Sequence, residues 1–469
     1  MRDFADRSTL AGVSWRTPEP CSVVPLARRS VLARQTLARS TALGVWVPRT
    51  SPFKVDAARL SRALQGPAVC VCSILLLAFA SFSTPAEAQV LVRGETVYTM
   101  AGDPIQNGAV LIHDGKIAAV GPAADIEAPA GFRVLEAKVV TPGLVAAHTV
   151  MGLAGSLNQP PDQDQVERSN AIQPELRAID AYNPREPLIE WARSYGVTTL
   201  HTGHAPAALV AGQTMVVKTR GNSADEATIK PLAMIAAVIG QPKNRGANNK
   251  PPGTRGKAAA ILRTQLLKAQ QYAEKLTKEK KPDRDLKLEA LTKIVSGETP
   301  LLVTAHRSQD ILTAIRIAEE FEIDLVLDGV AEAQEVMDQI KASGVRVIVH
   351  PTMYRANGET ENLSFETAAK LREASVPFAL QSGYETYVPK SRLVLFEAAL
   401  AAANGLSFEE ALASITIDAA RIIGVEDRVG SLKAGKDGDL ALYDGDPFEY
   451  TSHCVGVVLE GEVVSEETK

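Results

Sequence analysis

Five of the seven histidines fall at or just beyond the ends of short apolar runs: His148, His201, His204, His306 and His350. Each run has the length and Val/Ile/Leu content of a buried strand, so its end is where an imidazole can meet others. Imidazoles converging from several strands could hold a divalent ion, particularly with a carboxylate such as Asp328 nearby. His148 and His306 with one of His201, His204 or His350 would make such a set. The competing reading is that each histidine only hydrogen-bonds within a polar rim. His201 and His204 lie three apart in a turn and need a third ligand to count as a site. His113 and His453 sit in strand-rich ends and read as surface or hairpin residues.

Residues 141–422 alternate these runs with amphipathic stretches, the pattern of parallel strands and crossover helices. Strands are expected at Leu144 to His148, Gly196 to His201, Pro300 to His306, Ile323 to Asp328, Val345 to His350 and Pro377 to Gln381. Helices are expected at Gln309 to Phe321, Ala331 to Ser343 and Ser364 to Ser375. The span matches the ~250 residues typical of a (β/α)8 TIM-type barrel, whose C-terminal mouth gathers the strand ends. Residues 90–140 and 424–464 are strand-rich, with Asp114-Gly115 as a hairpin turn, and are expected to pair into one small discontinuous β-sandwich. Lys275 to Lys293 reads as a solvated helical excursion and Asn244 to Gly256 as a loop.

The first 88 residues carry ten arginines and Lys54 against five acids, a balance of +6, whereas the whole chain is −5 and the remainder therefore −11. An acidic body argues against a nucleic-acid partner. Pro67 to Phe82 is a short apolar run after Arg59 and Arg62, followed by Pro85-Ala86-Glu87-Ala88. These are the parts of a secretory signal cleaved after Ala88, which predicts a periplasmic or extracellular protein. The run is shorter than the ~20 residues of a permanent membrane span. Cys21, Cys70 and Cys72 precede that cleavage point, leaving Cys454 in a Val-rich strand pattern, where it reads as a small buried apolar side chain.

Gly405-Leu406-Ser407 with Glu410-Ala411-Leu412, then Ile415-Thr416-Ile417-Asp418-Ala419-Ala420, and Gly430-Ser431-Leu432 with Gly435-Lys436-Asp437-Gly438-Asp439-Leu440 resemble the barrel exit of imidazolonepropionase-like members of the amidohydrolase superfamily. Thr141 to Val150 likewise resembles the family's first barrel strand, Pro-Gly-(Leu/Phe)-(Ile/Val)-Asp-x-His-x-His. The resemblance implies one or two divalent ions, zinc or similar, activating water to hydrolyse non-peptide carbon-nitrogen bonds in small cyclic amides or dipeptide-like substrates. Carried over residue by residue, His148 and His306 match metal ligands. Ala146, Val150, Ile235, Gly329 and Gly383 stand where relatives have Asp, His, Lys, His and the proton-accepting Asp. Two readings follow: a hydrolase with a rearranged metal site, or a metal-free barrel that binds a small molecule or a protein. Barrels of this kind often pair, so a homo-oligomer is a further expectation. Tyr384, Glu385 and Tyr387 are candidates to line a ligand pocket.

Overall fold

The computed structural model describes residues 89–157, 159–240, 252–352, 356–383 and 394–469. The secretory-signal reading, Cys21, Cys70, Cys72, most of the 244–256 loop, Tyr384, Glu385 and Tyr387 lie outside the described residues.

Four strands open the fold: β1 Val90–Val97, β2 Ile105–His113, β3 Lys116–Pro122 and β4 Arg133–Pro142. Three close it: β14 Leu440–Tyr443, β15 Cys454–Leu459 and β16 Glu462–Ser465. They form one sheet in the order β16-β15-β14-β4-β1-β2-β3, in which the chain's two ends meet where β14 runs antiparallel to β4. Asp114 and Gly115 both have positive φ, the conformation that a two-residue hairpin turn between β2 and β3 requires.

Between them lies the barrel sheet: β5 Leu144–Thr149, β6 Val197–Gly203, β7 Val210–Lys218, β9 Ile235–Val238, β10 Leu301–Ala305, β11 Leu325–Gly329, β12 Arg346–Val349 and β13 Phe378–Leu380, with the short β8 Thr228–Lys230 paired to β7. The helices used below are α1 Pro187–Ser194, α2 Arg255–Leu276, α3 Leu286–Val295, α4 Ser308–Phe321, α5 Met337–Ser343, α6 Thr367–Glu373, α7 Val394–Ala403, α8 Phe408–Ser414 and α9 Ile417–Ile423. This is a TIM-type α/β barrel with a β-rich sheet beside it. All six strands expected from the apolar runs are present.

The barrel departs from an all-parallel one at β7, which is antiparallel to both β6 and β9. The reason is connection length. Only residues 204–209 join β6 to β7, too few for the dozen or so that a parallel crossover needs. Three helical expectations also shift. The lysine-rich stretch is not one helix, because α2 ends at Leu276 and α3 begins at Leu286, with Pro282 between them. The run from Ala331 begins as a 3-10 turn at Ala333–Val336 before α5, and α6 begins only at Thr367.

Strand alternation divides the barrel side chains into two sets. Leu144, Leu200, Val217, Leu301, Leu325 and Phe378 belong to the large cluster packed against the helices. Val145, Val216, Ala236, Leu302, Val326, Ile348 and Ala379 form a separate cluster that Ala419, Ala420, Ile422 and Ile423 of α9 close from below. This apolar layer is the floor on which the mouth is built.

At the base, the Gly435 to Leu440 turn carries charge as well as shape. Lys218, at the end of β7, is buried against Asp437 at 2.9 Å and against Asp439. Asp437 also takes Lys116 at 2.5 Å and Arg428 at 2.9 Å, and Glu460 takes Arg428 at 3.1 Å and Arg220. The cluster joins a barrel strand to the loop that re-enters the β-rich sheet. Burial pushes the Asp437 carboxyl up, but Lys218 and Lys116 outweigh it and hold the group at about 2.

Candidate site at the barrel mouth

Two residues above the apolar floor, the same strands present Thr214, Thr304, Asp328 and Gln381, so the next layer is polar. Asp328 is its centre and is fully buried. The Thr304 hydroxyl donates to Asp328 Oδ2 at 2.6 Å, the Gln381 amide donates to Oδ1 at 2.5 Å, and His148 Nδ1 lies 3.3 Å from Oδ1. Burial alone would raise this carboxyl. The neighbouring imidazole and the two hydrogen bonds more than offset that, holding it below the usual carboxylate range.

His148 reaches Asp328 because β5 is irregular. Ala146 opposes Leu200 and Thr149 opposes Thr202, three steps on β5 against two on β6, which is a bulge that re-aims the strand end. Strict alternation, on which a His-x-His reading depends, does not survive it. Val150 lies beyond the end of β5 and packs with Ala154 and Ala205 in a small apolar cluster.

His201 is fully buried with both ring nitrogens engaged: Nδ1–H donates to the Ala147 carbonyl at 2.6 Å, and Nε2 faces the Thr214 hydroxyl at 2.7 Å. Desolvation, followed by the nearby His148, drives its pKa down to about 3, so the ring is neutral and Thr214 donates to Nε2. Its ring centroid is 5.7 Å from that of His148. The partner Thr214 comes from the reversed strand β7, which the sequence reading did not assign.

His306 follows β10 and lies across Gly329, where an added Cβ would be 2.5 Å from its Cε1. Gly329 has φ +91 and the next residue, Val330, has φ 49. A β-branched residue in that region is strained by roughly 1–2 kcal/mol, so the turn after β11 is held in place by its surroundings. A histidine at 329 would need both the conformation and the space that His306 occupies. Gly383 has φ +101, and an added Cβ would lie 3.0 Å from Pro351 Cγ. Ile235 is buried in the helix-facing cluster.

His350 is buried, with Nδ1 3.3 Å from the Pro351 carbonyl and Nε2 3.3 Å from Thr367 Oγ1. Desolvation lowers its pKa to about 4. His204 lies elsewhere, packed over Gly212 with the Asp164 carbonyl facing its ring; burial again lowers its pKa. The five histidines therefore divide into His148 with His201 and Asp328, His306 near His350, and His204 apart. Among the described residues, no three His, Cys, Asp or Glu side chains are placed to hold one ion. Among the described residues the relocated metal set His148, His306 and one of His201, His204 or His350 is not assembled: the bulge in β5 brings His148 to Asp328, Thr214 of β7 engages His201, and His350 faces Pro351 and Thr367. Among the described residues, the donors at the mouth thus do not make the set of three that the family's ion needs.

Cys454 is buried among Ala441, Tyr443 and Val457, and burial pushes its thiol up to about 12. His113 and His453 are half-exposed beside Asp114 and Asp444. Among the described residues, no helix is long and apolar enough to cross a membrane.

Comparison with known proteins places this geometry. Residues 382–465 match an amidohydrolase family model, and residues 108–128 match a bacterial imidazolonepropionase-like composite domain. An amidohydrolase structure from Thermotoga maritima is 31% identical, covers 81% of this chain and 100% of its own, and superposes with a TM-score of 0.76. An imidazolonepropionase from Symbiobacterium thermophilum is 26% identical over 81% of this chain and 96% of its own length. An amidohydrolase from Hapsidospora irregularis is 23% identical over 76% of this chain, which spans only 39% of that relative. With the barrel, the adjoining sheet and this full-length similarity in hand, the chain belongs to the amidohydrolase superfamily.

Proposed function

We propose that this chain is an exported amidohydrolase-fold protein whose barrel mouth binds a small molecule without the metal-dependent hydrolysis of its relatives. One observation carries the reading: the positions where ligands are missing are structurally filled. The His306 ring occupies the space over Gly329, and Val150 is sealed in an apolar cluster. Asp328 already has His148, Thr304 and Gln381 as partners. Two imidazoles without a third ligand bind a divalent ion weakly.

Export rests on the leader-like segment ending at Ala88, and β1 begins at Val90, just after the expected cut. N-terminal sequencing of the protein from a periplasmic fraction should read Gln89 first.

The second reading is hydrolysis of a carbon-nitrogen bond in a small cyclic amide, favoured by the relatives named imidazolonepropionase. Bound zinc, iron and manganese decide between the two. Protein purified without chelator should carry far less than one ion per chain, with no change in His306→Ala. Near-stoichiometric metal that is lost in His306→Ala and in His148→Ala would overturn the binding-only reading and support hydrolysis.

A further inference from the structure

The segment between β12 and α6 has its two feet tied together, since His350 Nε2 lies 3.3 Å from Thr367 Oγ1. At the first foot, Thr352 donates its backbone N–H and its hydroxyl to Glu397 of α7, at 2.7 and 2.6 Å.

Two arginines fasten its middle. Arg307, next to His306, reaches Glu332 at 2.7 Å with one guanidinium nitrogen, and the Gly358 carbonyl and Glu361 at 2.7 Å each with another. Asn362 donates to the same Glu332 at 2.7 Å. Arg255, the first residue of α2, holds both Asp310 oxygens at 2.9 Å through Nε, and Glu359 at 2.8 and 2.9 Å through Nη2. From Glu359, which lies by the end of β9 where a Cβ on Gly240 would sit 3.3 Å away, the segment runs back past the end of β10 at Arg307 through Glu361 and past the end of β11 at Glu332 through Asn362. It runs along the rim of the mouth beside His306, which keeps partial exposure.

The charges are arranged so that the closure depends on the arginines. Glu359 and Glu361 on the segment face Asp310 and Glu332 on the rim, four carboxylates against two guanidiniums. With both arginines the contact is attractive and geometrically specific; without them like charges face each other. The Arg255 and Arg307 side chains are partly open to solvent, so salt can screen them.

We propose that residues 356–366 are a strap, latched by Arg255 and Arg307, that opens as a unit and governs solute access to His306 and His350. This does not depend on whether the mouth binds or hydrolyses its ligand. Hydrogen exchange read by mass spectrometry tests it in Arg255→Gln/Arg307→Gln. Strap amides should exchange at least about tenfold faster, the scale set by losing charge-assisted hydrogen bonds, while β10 to β12 stay protected. Carbethoxylation of His306 by diethyl pyrocarbonate should rise in parallel. Arg307→Lys, which keeps the charge but not the fork, should fall between. Strap amides unchanged in the double variant, or rising together with β10 to β12, would overturn the proposal. In the unaltered protein, raising sodium chloride from about 0.05 to about 1 M should itself speed strap exchange; salt-independent exchange would overturn it as well.

Discussion

At the base of the barrel, Lys218, Asp437, Asp439, Glu460 and Arg428 form a closed ionic cluster in which each buried carboxylate has a cation. At the mouth, the fully buried carboxylate of Asp328 meets an imidazole, a hydroxyl and an amide. The base joins two sheets through an Asp-Gly-Asp turn, whereas at the mouth Val150 lies in an apolar cluster and the space over Gly329 is taken by the His306 ring. On the reading proposed above, the same chain has kept the electrostatics that hold the fold and replaced those that would hold an ion. Identity with relatives reports on the first and says little about the second.

The largest effect should come at the base. Lys218→Met leaves Asp437 and Asp439 buried without their shared cation and should lower stability by about 3–5 kcal/mol in urea unfolding. A loss no larger than that of a mouth substitution would break the contrast.

Gly329→His should not restore a metal site. Its Cβ would collide with His306 in a positive-φ turn, for a loss of roughly 3 kcal/mol and no gain in bound zinc. A stable variant that takes up stoichiometric zinc would mean that the mouth is more adaptable than its packing implies.

Asp328→Asn removes the negative charge and turns one of the two accepting oxygens, Oδ1 toward His148 and Gln381 or Oδ2 toward Thr304, into a donor, and should cost about 1–3 kcal/mol. Metal content should not change.

The smallest effect lies in the pH dependence. His201 and His350 have folded pKa values of about 3 and about 4, below the ordinary 6.5. Below 6.5 the unfolded chain takes up protons that these folded rings refuse, so stability falls as pH drops and levels off past the folded values. Asp437, at about 2 against 3.8, keeps its contribution above about 3.8 and loses it toward pH 2. Two acid limbs should appear in stability against pH, and His201→Gln should reduce the upper one while leaving the lower intact. A single limb below pH 4 would show that the mouth histidines are not held neutral.

Much of the scaffold was legible from residues. Apolar runs between polar punctuation placed six barrel strands, because strands buried on both faces leave continuous Val/Ile/Leu stretches. Strands β7 and β9 escaped notice, though the short gap between Gly203 and Val210 could have signalled a hairpin at β7. The fate of the histidines was not legible at all. It depends on a one-residue irregularity in β5 and on Thr214 arriving from the reversed strand, and neither leaves a periodic trace. That Gly329, Gly383 and Val150 depart from the family pattern was readable; that neighbouring groups occupy their surroundings required coordinates.

The reversed strand also bears on how the chain folds. Parallel neighbours in a barrel are joined only after a long loop has closed, and such pairings form late. The β6–β7 hairpin closes over six residues and can form within microseconds, before any crossover is complete. It would also bring Thr214 to His201 at the outset. The barrel therefore contains one locally closed pair from which its remaining strands can be recruited, and a piece of the mouth is set in place with it.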